Sequence, residues 1–343
     1  MEIRQIIFPA INEAALITVR EELGPNDVCV KTVYSTVSCG TERANITGDP
    51  NVDGRANTVV FPRSSGYSSA GRVTAVGSQV TDLRPGDRVV VYWGKHKDYN
   101  IVPCSQVVPI PDDRIDWQEA ALSFVATFPL AAIRKTRLEL GESVLIMGLG
   151  LLGQLAVQLA HAGGGYPIIA VDPVAERRAM ALRFGADYAL DPTEPDFPER
   201  VRGLTCGGAN VCIEVTGLGK GLEQALDCMA KYGRVALLGC TRNKEFTIDY
   251  YRKVHFPGIS LIGAHTMARP DEESSPGRFT HRDDILSVLR LTLGGRLHLR
   301  EMIARTYAPE DCAACYHSLI TDPAFGPVVQ FRWQEEVYWQ EEV

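Results

Sequence analysis

Residues 144–153 read VLIMGLGLLG, an apolar run that ends on Gly148-x-Gly150-x-x-Gly153 and passes into the helical pattern LLGQLAVQLAHAG. A strand that turns through three glycines into a helix uses each for a separate reason. The first makes the tight turn, the second lets backbone approach a pyrophosphate, and the third lets the helix pack close on the strand, with the diphosphate over the helix N-terminus. Alone, such a triplet is a weak signal. Here the next strand-like run, PIIAVD, ends in Asp172, 24 positions after Gly148. A carboxylate there can accept hydrogen bonds from ribose hydroxyls and repels a 2′-phosphate. The pattern predicts a dinucleotide site with NAD(H) favoured over NADP(H), although Arg177, just past the acid with Arg178, could reach such a phosphate.

The fingerprint lies in the middle of three zones. Residues 1 to about 125 are short strand-like runs (VCVKTVYSTV, SAGRVTAVG, DRVVVYW, YNIVP) punctuated by Gly and Pro, most clearly in LRPGDRVVV. That spacing predicts a compact, partly barrel-like β domain. From about 127, strand-like runs (SVLIMG, PIIAVD, VCIEVTG, RVALLG, ISLIGA) alternate with helical ones, which predicts βαβ units and a parallel sheet. After about 268 the chain turns polar and Pro-rich, then gives a helix-like DILSVLRLTLGG and a last apolar run, FGPVVQFRW. This zone is too short for a domain and is expected to return to the first. The expected divisions are 1–126, 127–267 and 268–343.

A chain of 343 residues suits two domains, and 45% hydrophobic with 22% charged residues gives each a core. A net charge of −7 without a basic stripe argues against a nucleic-acid partner. The N-terminus lacks a cationic leader with an apolar run, and no apolar stretch reaches about 18 residues, so no membrane partner and a cytoplasmic location are expected. Nine cysteines without a dense framework fit reduced thiols. The pair Cys312 and Cys315 in PEDCAACYHSLI has helical periodicity and no second such pair to complete four ligands, so a buried helix is expected there. The pentapeptide WQEEV occurs twice at the end, at Trp333–Val337 and Trp339–Val343.

In order along the chain, SCGTE, SAGRVTAVG, LRPGDRVVV, EAALSFVATFPLAA, the glycine fingerprint, GADYALDP, CIEVTG and GRVALLG resemble the medium-chain dehydrogenase/reductase superfamily, of the zinc alcohol and polyol dehydrogenase type. The resemblance covers almost the whole length. It implies an α/β protein: a GroES-like, β-rich catalytic domain plus a Rossmann domain with a doubly wound parallel sheet, the C-terminal segment rejoining the first. It also implies that Thr127, Leu152, Thr216, Gly239 and His265 join Gly148, Gly150, Gly153, Asp172 and Arg177 around the cofactor. Such proteins are usually homodimers or homotetramers through the Rossmann sheet edge, here GISLIGAHT.

Relatives hold a catalytic zinc through an early cysteine, a histidine in a Gly-His-Glu run, and a Cys or Asp ahead of the Rossmann domain. Cys39 matches the first, but Tyr67 and Ser123 stand at the other two positions, and hydroxyls replace imidazole or thiolate poorly. No cysteine lobe follows the PGDRVVV strand either, so no zinc of either kind is expected. Hydride transfer then needs a side chain to stabilise the substrate oxygen and move its proton, the task zinc performs as a Lewis acid. Tyr67, His96 and Thr41 are the catalytic candidates. Cys39, Glu42, Arg43, Tyr92, Trp93 and Ser123 are expected to line or rim the substrate pocket. A surface role for His96, an ion pair for Glu42 with Arg43, and plain packing for Tyr67 are the competing readings. The polar rim, including Arg43, His96 and His265, suggests a sugar-like or polyol-like small molecule. The expected activity is a zinc-independent, NAD(H)-dependent alcohol/ketone oxidoreductase. Its rivals are a zinc-free quinone or enoyl reductase using NADPH and a catalytically silent NAD-binding protein.

Overall fold

The computed structural model describes residues 1–49, 59–241, 243, 245–322 and 325–334. The second WQEEV copy, and all but two residues of the first, lie outside the described residues. The chain begins with strands β1 (Glu2–Phe8), β2 (Ala15–Arg20) and β3 (Asp27–Val37), helix α1 (Cys39–Ile46), and strands β4 (Arg63–Ser64), β5 (Ser68–Val76), β6 (Arg88–Tyr92), β7 (Tyr99–Pro103) and β8 (Val107–Pro109). Helix α2 (Trp117–Thr136) follows. An alternating stretch comes next: β9 (Val144–Met147), α3 (Leu151–Ala162), β10 (Ile168–Val171), α4 (Ala175–Arg183), β11 (Tyr188–Leu190), α5 (Phe197–Leu204), β12 (Ala209–Glu214), α6 (Gly219–Asp227), β13 (Met229–Leu237) and β14 (Ser260–Gly263). Helix α7 (His281–Leu293), β15 (Ile303–Tyr307), α8 (Cys312–Thr321) and β16 (Val328–Arg332) end it.

Of the described residues, those up to 125 and from 299 onward form one compact unit and 126–298 form another, the division falling within α2. In the first unit, β2, β1 and β4 make a small antiparallel sheet, and a second sheet has the order β15-β16-β3-β5-β6-β8 with β7 also on β3. Strand β3 is central because it alternates Val28 and Val30 into a valine-rich core with Val73, Val89, Val91 and Val107. The turn in LRPGDRVVV forms as its residues require: Gly86 takes φ +100°, and the Asp87 carboxylate accepts from the Arg84 amide at 2.9 Å.

In the second unit a six-stranded, all-parallel sheet has the order β11-β10-β9-β12-β13-β14. Every residue of β9 and β10 is buried, as in a parallel sheet covered on both faces. Strand succession reverses between β9 and β12, and ligands of such sheets bind outside the carboxyl ends at that point.

The second unit runs thirty-one residues beyond the expected division, since the chain re-enters the first unit at Leu299 rather than 268. The cause is ionic. The fully buried Asp284 of α7 binds Arg134 of α2 at 2.8 Å and Arg269 at 3.0 Å, which holds α7 within the second unit. Helix α8 carries Cys312 and Cys315, both buried. Among the described residues no helix is long and apolar enough to cross a membrane.

Candidate functional site

In the second unit the glycine loop fits a dinucleotide at each of its three positions. Gly148 adopts φ +93°, which favours glycine. A Cβ on Gly153 would lie 1.9 Å from the Gly148 carbonyl oxygen, so only glycine lets α3 settle on the turn. A Cβ on Gly150 would meet nothing within 4 Å, which leaves open space at the N-terminus of α3. Unpaired amides of a first helical turn beside open space form an anion cradle. Leu152, half-buried, lies in that first turn.

Asp172 follows β10 and is 4% exposed. Its carboxylate accepts from the Leu149 amide at 2.8 Å and the Val174 amide at 2.9 Å, so it fixes the glycine loop. Each oxygen keeps a second lone pair for a hydroxyl donor. Arg177 stands 3.5 Å away and 43% exposed, whereas Arg178 turns to Asp191 at 3.0 Å.

The loops after β9, β12 and β13 touch. A Cβ on Gly148 would meet Thr216 at 3.1 Å, and one on Gly239 would sit 2.4 Å from the Gly217 amide. Glu214, absent from the sequence reading, organises them: its carboxylate accepts from the Thr216 amide at 2.8 Å, the Thr216 hydroxyl and the Gly217 amide. Burial raises its pKa, against the pull of those donors. The run CIEVTG marked the spot, but nothing in it distinguishes a clamp from a strand end. Thr127 is buried in α2, its carbonyl accepting from Arg269 at 3.1 Å. His265 is exposed just past β14, with Nδ1 accepting from the Met267 amide at 3.2 Å.

In the first unit, Cys39 opens α1, its Sγ 3.7–3.9 Å from the carbonyl oxygens of Val37, Gly326 and Pro327. Thr41, two residues on, is half-buried. Glu42 and His96 differ from expectation. Neither is a rim charge: Glu42 is 1% exposed and His96 is fully enclosed. Glu42 accepts from the Ser38 amide at 2.8 Å, from His96 Nε2 at 3.1 Å and from the Tyr316 hydroxyl. His96 Nδ1 lies 2.7 Å from Ser35 Oγ, which also receives the Trp333 indole N–H at 2.9 Å.

An indole can only donate and a carboxylate only accept, so Trp333 donates to Ser35 and His96 Nε2–H donates to Glu42. Burial and the adjacent Glu42 carboxylate push the Tyr316 hydroxyl far above its ordinary range. The ring of His96 also fills the space where a Cβ on Gly66 would stand, 2.6 Å from its backbone nitrogen. Both ring nitrogens are committed, which removes His96 from the acid/base candidates. Arg43 forms no pair with Glu42, because its guanidinium donates to the Leu319 carbonyl.

Tyr67, Tyr92 and Trp93 do come together, around a ring the sequence reading missed. Phe124 of α2 lies 6.0, 5.3 and 5.0 Å from their ring centroids. Trp93 is held at φ +59°, its amide donating to the Tyr67 carbonyl at 2.9 Å. The Tyr92 hydroxyl donates to the Ser105 carbonyl at 2.6 Å. Ser123 is fully buried and its hydroxyl donates to Ala120 of its own helix at 2.7 Å, so the pocket-lining expectation for it is corrected.

These donors do not suit zinc. Beyond Cys39 the expected ligand positions offer a phenol and a hydroxyl engaged with backbone, and among the described residues no group of three or more His, Cys, Asp or Glu is disposed to hold a metal ion. The glycine loop, by contrast, fits a nicotinamide dinucleotide.

Comparison with known proteins finds a family match in each of the two units. Residues 24–112 match the model of the alcohol dehydrogenase GroES-like domain, and residues 152–276 match that of the zinc-binding dehydrogenase. L-threonine 3-dehydrogenase of Thermococcus kodakarensis is 31% identical over 277 residues, 70% of this chain and 75% of its own. D-guloside 3-dehydrogenase of Escherichia coli K12 is 28% identical over 241 residues, 69% of this chain and 68% of its own. The solved structure of 2R,3R-butanediol dehydrogenase from Bacillus subtilis superposes with a TM-score of 0.81 over 96% of this chain and 99% of its own, at 20% identity, a likeness of fold. The chain belongs to the medium-chain, zinc-type alcohol dehydrogenase superfamily.

Proposed function

We propose that this alcohol dehydrogenase-type oxidoreductase interconverts a secondary alcohol and a ketone on a polyol-like or sugar-like small molecule, with NAD(H) and without zinc. The observation that carries the reading is the glycine loop with its open space at Gly150 and the Asp172 carboxylate behind it. When bound, the nicotinamide accepts or gives the hydride. The chain must hold it, orient the carbinol and handle the hydroxyl proton. Tyr67 is the favoured proton donor, with Thr41 as relay, since both are only half-buried while His96 is enclosed. Such a group contributes about 10²–10⁴-fold. The names of the relatives, a guloside and a butanediol dehydrogenase among them, support a hydroxylated substrate. Support for zinc independence comes from the donor chemistry at Tyr67 and Ser123.

Screening NAD⁺ reduction across sugars, polyols, amino alcohols and simple alcohols tests the activity. Turnover on a polyol, falling about 10²-fold in kcat but little in KM for Tyr67→Phe, is expected. Tight NADH binding with no turnover on any substrate would favour the silent-protein alternative. Metal analysis of protein purified without added zinc tests the rest, and one zinc per chain would overturn it. Arg177, close to Asp172 and partly exposed, favours a second reading in which NADPH serves a quinone or enoyl reduction; a lower Kd for NADPH than for NADH would select it. A homo-oligomer through the outer edge of β14 completes the proposal, read by analytical ultracentrifugation.

A further inference from the structure

The loop after β6, from Trp93 to His96, holds the stretch that carries Tyr67. The Trp93 amide donates to the Tyr67 carbonyl at 2.9 Å and the His96 amide to the Ser65 carbonyl at 3.0 Å, one bond on each side of Gly66. Gly66 itself, at φ +82°, lies against the His96 ring, where a Cβ would stand 2.7 Å from His96 Cγ. The loop is pinned in turn by Asn100, whose side chain accepts from the Lys95 amide at 2.8 Å and donates to the Lys95 carbonyl at 3.2 Å. The Trp93 ring, 5.7 Å from that of Tyr67, completes the seat.

The His96 ring is also tied to a second element. Strand β5 begins where β3 ends, with Ser35 paired to Ser69, so the first turn of α1 and Tyr67 lie at the same end of neighbouring strands. Ser38 precedes that turn, and its amide donates to one Glu42 oxygen at 2.8 Å, while the other oxygen receives His96 Nε2–H at 3.1 Å. A single carboxylate therefore joins the turn that carries Thr41 to the ring that backs Gly66. Both members are enclosed, Glu42 at 1% and His96 at 0% exposure, and a charged hydrogen bond shielded from solvent is a stiff link.

Given the proposed roles of Tyr67 and Thr41, on which this rests, we infer that Glu42 and His96 are positioning residues for that reaction: the pair sets the place of Tyr67 relative to Thr41 and meets no substrate itself. Proton transfer tolerates little error in such a placement, since a shift of about 1 Å can cost about 10²-fold in rate. Loosening the pair should therefore act on kcat rather than on KM.

A fluorine label reads the placement without a substrate. With 3-fluorotyrosine at position 67 alone, ¹⁹F NMR of the full chain should show one resonance, which Glu42→Gln shifts or splits. Leu83→Ala is the control for lost stability: it opens a cavity in the valine-rich core, near the turn at the other end of β5 and β6, and should lower Tm with the resonance in place. Should Glu42→Gln not fold, His96→Gln, which keeps a donor toward Glu42 and removes the ring behind Gly66, should shift the same resonance. An unmoved resonance in the folded variant, or an equal shift in Leu83→Ala, would overturn the inference. The kinetic arm uses the panel of sugars, polyols, amino alcohols and simple alcohols. On a member that gives turnover, Glu42→Gln should lower kcat about tenfold with KM little changed, and should add less than about twofold to the loss already caused by Tyr67→Phe. Losses that multiply in full would show that Glu42 does not act through Tyr67. Wild-type protein that turns over no member of the panel would sink the activity reading instead, so the two fail separately.

Discussion

An alanine at Gly153 cannot be accommodated without moving α3, because its Cβ would meet the Gly148 carbonyl at 1.9 Å, while one at Gly150 meets nothing. The two substitutions should therefore separate stability from binding. Gly153→Ala is expected to lower both Tm and NADH affinity, whereas Gly150→Ala should keep Tm within about 1 °C and lose about tenfold or more in affinity, measured by nucleotide fluorescence. Glu42→Gln makes a different point. Its amide would offer donors toward groups that themselves donate, and a loss of about 1.5–3 kcal/mol in urea denaturation is expected. The glycines were legible in the sequence because turn, cradle and contact fall within six residues. The role of Glu42 was not, because its partners His96 and Tyr316 lie 54 and 274 positions away. His96 looked solvated because its neighbours Lys95, Lys97 and Asp98 are charged, yet only its fold position decides burial.

Among the elements, α7 shows why the expected division at 268 failed. Its leading segment is polar and Pro-rich like a linker, but one buried carboxylate, Asp284, ties it to α2. Helix α7 also opens on His281, whose pKa is lowered to about 3 by burial first and by Arg269 second. The helix N-terminus adds to the penalty on a cation there. Since the unfolded histidine binds a proton below about 6.5 and the folded one does not until about 3, stability is full above 6.5 and declines as pH falls through this window. At pH 5 the loss is about 1 kcal/mol after discounting for partial exposure, or about 2–4 °C in Tm. His281→Gln should flatten the Tm curve between pH 7 and pH 5, and an equal slope in both proteins would remove His281 as its cause.

For the whole molecule, the two units differ in how the chain supplies them. The parallel sheet draws all six strands from one continuous stretch, which is why alternation in the sequence revealed it. The first unit takes β15, α8 and β16 from the far end, and these bring Tyr316 and Trp333 to Glu42 and Ser35. Sequence order suggested that return but could not show what it delivers. Residues 126–298 expressed alone should fold and bind NADH. A chain ending at His298 should lose one of two calorimetric transitions and keep the other; loss of both would show that the parallel sheet depends on the first unit. The pairing of β16 with β3 also sets a timetable. Strand β3 leaves the ribosome before the parallel sheet and its neighbour β16 after it, so the unit that is begun first is finished second, after the parallel sheet has every strand it needs. During translation one edge of β3 is an open template for other chains, and the length of the intervening stretch fixes how long that exposure lasts.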